Sequence, residues 1–140
     1  MQALQQISWL PVLVSAVAVF VLGALWYTAL FSKPWVASRG YTEGQMAEMK
    51  KQGMAKALVW NFVANVVTCA AFSILVSYLN LHSAMQGAKL GVLVGIGFAA
   101  AILLVQNLYS IVKISGFLID AAYQLVAFVI MGCILSGWRP

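Results

Sequence analysis

An all-α membrane bundle of four spanning helices, with a short amphipathic helix in the first connection, is the fold class this sequence predicts. Three observations carry it. Of 140 residues, 64% are hydrophobic and only 8% charged, against roughly 25% charged in a soluble domain. Four apolar runs, residues 9–30, 57–79, 90–109 and 114–135, each exceed the ~18 residues that mark a spanning helix. At ~1.5 Å per residue each run reaches roughly 30–35 Å, the thickness of the hydrocarbon layer. The charges gather in the connections, so the whole chain reads as one membrane domain.

The first run opens near Pro11, where a helix tolerates a missing N–H. It closes in Trp26-Tyr27, then Phe31, Lys33, Pro34 and Trp35, a grouping expected of an interfacial anchor and a stop. Its leader, Met1 to Gln6, has no Lys or Arg and the run is long for a signal-peptide core, so a retained helix is expected. In the first connection Thr42 and Gln45 have capping-box spacing. They predict a surface helix over 43–52, ended by Gly53, with Met46 and Met49 towards lipid. The second connection is expected at 80–89 and holds His82, the only histidine. The third, near Ser110 to Lys113, makes the last two spans antiparallel neighbours.

Six of the eight basic residues (Lys33, Arg39, Lys50, Lys51, Lys56 and Lys113) fall in or beside the first and third connections. The positive-inside rule then places those connections in the cytoplasm and both termini outside. The net charge of +5 sits beside spans and not on a soluble face, so the expected partner is the lipid bilayer and not nucleic acid. Cys69 and Cys133 lie inside spans without metal-ligand neighbours and read as small hydrophobes. No hydrolase triad, phosphate loop or histidine set is present, so no enzyme, metal or cofactor is expected.

Asp120 is the candidate centre. It is the seventh residue of the last run, and an ionisable group at that depth marks a functional site by default. Asn61, Asn65 and Thr68 share one face of the second run, Lys113, Gly116, Asp120 and Gln124 one face of the fourth, and Gln106 lies at comparable depth on the third. The expected site joins Asp120 to a hydrogen-bonding shell of Gln124, Asn61, Asn65 and Gln106, with Tyr27 or Trp26 as an aromatic wall and Lys56 as the cation able to reach inward. A carboxyl held among amides could carry a proton. Gly91, Gly95 and Ala99 form a small-residue stripe for close helix packing. Four short spans leave little enclosed room, so a homo-oligomer is expected, a dimer first. Two functions stay open: a small-solute or proton-linked permease or ligand-binding protein, or a non-transporting accessory subunit whose polar residues only fix packing.

The strings Gly23-Ala24-Leu25-Trp26-Tyr27 with Leu30-Phe31-Ser32-Lys33-Pro34-Trp35, and Ile119-Asp120-Ala121-Ala122-Tyr123-Gln124-Leu125 with Met131-Gly132-Cys133-Ile134-Leu135, resemble the bacterial domain-of-unknown-function family numbered 1761. The resemblance covers nearly the whole chain. It implies four spans in the bacterial inner membrane and no established activity. It also implies that many members carry asparagine at position 120 and histidine at 124, so Asp120 and Gln124 depart from the pattern, which puts an obligatory proton carrier in doubt.

Overall fold

A computed structural model describes residues 5, 7–40, 42–51 and 53–139. Helix α1 (Trp9–Leu30) ends in a π-helical turn over Trp26–Leu30, with Phe31 N–H donating to the Trp26 carbonyl at 2.9 Å. Two short helices follow, α2 (Ser32–Arg39) and α3 (Glu43–Lys51). The remaining spans are α4 (Met54–Tyr78), α5 (Ala84–Leu108, π-helical over Gly95–Ala100) and α6 (Ile114–Gly137). Four helices are therefore long and apolar enough to cross a membrane.

Local chemistry sets the boundaries. Thr42 and Gln45 form the expected reciprocal cap, Gln45 N–H to Thr42 Oγ1 at 3.2 Å and Thr42 N–H to Gln45 Oε1 at 2.9 Å. Gly40 (φ 67°) and Gly53 (φ 103°) take the left-handed backbone that ends helices. The side chains of Met46 and Met49, and Gln52, lie outside the described residues. Helix α5 starts six residues before the expected Leu90, because Ser83 and Gln86 make a second capping box. Helix α1 stops at Leu30 as expected, with a break at Phe31, but the chain then re-enters a helix at Ser32, with Pro34 in the first turn of α2, where proline is tolerated.

Helix α6 is the hub. It packs on α1, α2, α4 and α5, and α4 packs on α1. Helices α4 and α5 make no substantial contact with each other. The tightest pair is α5 with α6, and glycine is the reason. A Cβ on Gly87 would run into the Gly132 carbonyl, one on Gly132 into the Gly87 carbonyl, and one on Gly91 into the Phe128 carbonyl. Gly95 is the next step of the same face, against Leu125. The stripe expected at Gly91, Gly95 and Ala99 thus runs Gly87, Gly91, Gly95, and its partner is α6 of the same chain. Ala99 belongs to a cleft instead.

The core lies at one end. Its buried residues are Val12, Ala16 and Val19 from α1, Cys69, Phe72 and Val76 from α4, Leu90 from α5, and Ala127, Met131 and Leu135 from α6. All sit in the halves nearer the chain termini. Arg139 closes that end, donating to the carbonyls of Val76 (3.0 Å) and Leu81 (3.1 Å), as suits a cation at a helix C-terminus. At the other end α5 buries nothing over Ala101–Leu108, and the bundle splays. Cys69 and Cys133 are free thiols, the first fully buried.

Gly87→Ala and Gly132→Ala should each destabilise the bundle by about 1–3 kcal/mol, the range for overpacking. Gly97→Ala, whose Cβ meets nothing within 4 Å, should leave stability unchanged or raise it. Thermal unfolding in detergent micelles reads the difference; equal effects at all three positions would contradict the glycine contact.

Candidate functional site

Asp120 is enclosed by α1 and α2, not by amides. Its Oδ1 accepts from Tyr27 Oη at 2.6 Å and from Trp35 Nε1 at 3.1 Å, and its Oδ2 pairs with Arg39 Nη2 at 2.7 Å. The local sequence explains the reach. Trp35 and Arg39 are four residues apart on α2, so both project from one face. Arg39 also lies over the Trp35 ring, 4.9 Å from its centre, and Tyr27 meets Trp35 edge to face at 5.5 Å. Such a stack holds the guanidinium's plane towards the carboxylate. Ser38 bolts α2 to the start of α6: its carbonyl accepts from Lys113 N–H at 3.1 Å, and its hydroxyl fills the space over Gly116. Trp26 joins the same seam by donating Nε1–H to the Ile119 carbonyl at 3.2 Å.

The expected amide shell around Asp120 is therefore corrected. A carboxylate gains more from a charged donor than from a neutral amide, and α2 delivers Arg39, not Lys56, to it. Tyr27 and Trp26 were legible as neighbours; Trp35 and Arg39 were missed as partners. Their signal was the i, i+4 pair just after Pro34, which reads as helix only once proline is placed in the first turn.

Beside this clasp lies a cleft of about 130 Å³ lined by Arg39, Gln106, Asn107, Ser110, Phe117 and Asp120, among others. Asn107 holds its outer rim, donating to the Val112 carbonyl at 3.2 Å and accepting at its own carbonyl from Ser110 Oγ at 3.2 Å. The volume suits about four waters. Arg39 Nε is buried at this seam without a partner among the described residues.

The amides gather elsewhere. Between α4 and α5, backed by α6, a larger cleft of about 420 Å³ is lined by Asn61, Asn65, Thr68, Gln106 and Gln124, with Ala99 and apolar side chains completing it. Asn65 Nδ2 donates to Asn61 Oδ1 at 3.3 Å, and Thr68 Oγ1 donates to the Ala64 carbonyl at 2.9 Å. The Tyr123 ring forms part of the back wall, its hydroxyl donating to the Val19 carbonyl at 3.1 Å. Among the described residues no charged side chain lines this cleft. Gln106 and Leu103 line both clefts and so form the wall between them. The expected constellation is thus divided into a charged clasp and an uncharged cleft that share one wall.

The family described as "Protein of unknown function (DUF1761)" matches residues 10–136, a stretch that takes in nearly all of α1 to α6. The chain belongs to this family. No curated protein and no solved structure matches it.

In this DUF1761 protein the clasp stabilises the splayed end. The Asp120 and Arg39 side chains are 15% and 29% exposed, so the pair is only partly shielded from solvent and its strength falls below that of a deeply buried pair. Asp120→Asn keeps an acceptor for Tyr27 and Trp35 and should cost about 1–2 kcal/mol; Asp120→Leu, which strands all three donors, should cost about 2–4 kcal/mol. A double-mutant cycle of Asp120→Asn with Arg39→Gln, followed by chemical unfolding, should show positive coupling; additive losses would mean that the pair contributes nothing.

Proposed function

We propose that this chain is a small permease-type, ligand-binding membrane protein whose solute site is the uncharged cleft between α4 and α5. The single observation behind the reading is the gathering of Asn61, Asn65, Gln106 and Gln124 around one cleft of about 420 Å³. Polar side chains at membrane depth face protein or a cavity and mark pathways, and the volume falls within the ~300–1,000 Å³ of small-molecule sites. Asp120, with three donors already on its oxygens, is better suited to holding α1 and α2 against α6 than to carrying a proton. The role is binding and passage, without bond chemistry.

The accompanying setting is the bacterial cytoplasmic membrane, with the basic first and third connections inside and both termini outside. Two copies associate in this reading, through lipid-facing apolar surface, since α6 already covers the glycine stripe of α5. A second reading, an accessory subunit that transports nothing, draws support from the same clasp, because every bond made to Asp120 serves packing.

Uptake of a panel of small neutral metabolites and cations into proteoliposomes tests the choice. Asn65→Leu and Gln124→Leu should abolish uptake of the transported compound while unfolding as wild type does, and Asp120→Asn should retain it. Uptake indistinguishable from empty vesicles for every compound favours the accessory subunit. Topology has its own test: a cysteine placed at Ser110 in a cysteine-free background should resist impermeant thiol reagents on intact cells, and one at His82 should react. The reverse pattern would invert the orientation.

A further inference from the structure

The α4–α5 cleft is open along its length. The two helices that form its lips do not pack on each other, and the residues beside the polar positions are apolar and exposed. Among the lining residues these are Ala64 on α4 and Ile102 (57% exposed) on α5. Such lips match acyl chains and not bulk water. Inside, Asn61 is exposed, Gln124 is half-buried, and neither the Gln106 nor the Gln124 side chain makes a hydrogen bond among the described residues. Amides left facing hydrocarbon are costly, each unsatisfied group by several kcal/mol, so the cleft requires an occupant with hydrogen-bonding groups of its own.

The lining also limits what that occupant can be. Two asparagines and two glutamines offer donors and acceptors together, and no charge. Among the described residues, the ion pair beside the cleft is Asp120 with Arg39, closed on itself behind Gln106 and Leu103. A charged solute would lose its hydration without gaining a counter-charge. The deeper wall, Val19, Leu103, Phe128, Met131 and the Tyr123 ring, is apolar and takes a chain or a ring.

We propose that the cleft takes an uncharged amphiphile, with hydroxyl or carbonyl groups at its head, that enters sideways from the bilayer between α4 and α5. This rests on the cleft being the ligand site and narrows that reading to one chemical class and one route. The amides bind the head, the back wall holds the apolar body, and the apolar lips admit it without passage through water.

Photo-crosslinking of the full chain in phosphatidylcholine vesicles tests it, with three diazirine probes of equal chain length: a monoacylglycerol, a fatty acid and an alkyl-trimethylammonium. The monoacylglycerol should label residues 61–68 and 99–106 preferentially, and the Asn65→Leu/Gln124→Leu double variant should reduce that labelling about tenfold, as the loss of two neutral hydrogen bonds implies. Thr68→Val, a smaller change, guards against misfolding and should reduce it less, with an unaltered unfolding temperature for both variants. Equal labelling by all three probes overturns the chemical class while leaving the cleft a site. Labelling only elsewhere, with uptake of water-soluble compounds intact, overturns the amphiphile but not the permease. Efficient disulfide crosslinking between Thr68→Cys copies, in a background lacking the native cysteines, would show a second copy filling the cleft and overturn the proposal as well.

Discussion

Helices α5 and α6 touch backbone to backbone where Gly87 and Gly91 meet Gly132 and Phe128, and the polar architecture follows from that contact. Two helices joined so closely at one end must diverge at the other unless small residues continue along the seam. They end at Ala99: beyond it the face reaches Leu103 and Gln106, which line clefts. In lipid no hydrophobic force draws helices together, so packing and hydrogen bonds alone decide how far the contact extends. The glycine end holds the apolar core, with a cleft of about 180 Å³ at its rim lined by Ser8, Ser73, Ser77 and Arg139 among others. The divergent end is where the polar side chains find room.

The divergent end still needs a fastening, and the Asp120 clasp supplies it. Four side chains from three helices (Tyr27, Trp35, Arg39 and Asp120) close a network in which each bond to the carboxylate comes from a different residue. The π-helical turns fall at related places, Trp26–Leu30 beside the clasp and Gly95–Ala100 where α5 leaves α6. Such turns recur where helices change course and at functional sites. Clasp and cleft therefore share more than Gln106: the same geometry that separates α5 from α6 opens both.

Division of the polar residues into two groups changes the chemistry assigned to them. Amides around an acid describe a proton-exchanging site. An acid neutralised by arginine, with the amides collected one cleft away, describes a structural ion pair beside an uncharged cleft. Asp120 lies beside the smaller cleft at the splayed end of the bundle, and its three donors fit a packing role better than a proton-carrying one.

Hydrophobic periodicity and run length determined the class and the four spans, because in lipid a backbone must satisfy its own hydrogen bonds and a helix of fixed rise has one workable length. Short-range signals were equally legible, as Thr42 with Gln45 and the left-handed Gly53 show. Ser83 with Gln86 carried the same kind of signal but was masked by the polar residues around it. Which helix each polar face meets was decided only in three dimensions. Asn61, Asn65 and Gln124 share depth with Asp120, but depth says nothing of azimuth, and the rotation of α6 is set by glycines far along the chain. Trp35 and Arg39 reach Asp120 from 85 and 81 residues away, a pairing that depends on where α2 folds back and that no local pattern encodes.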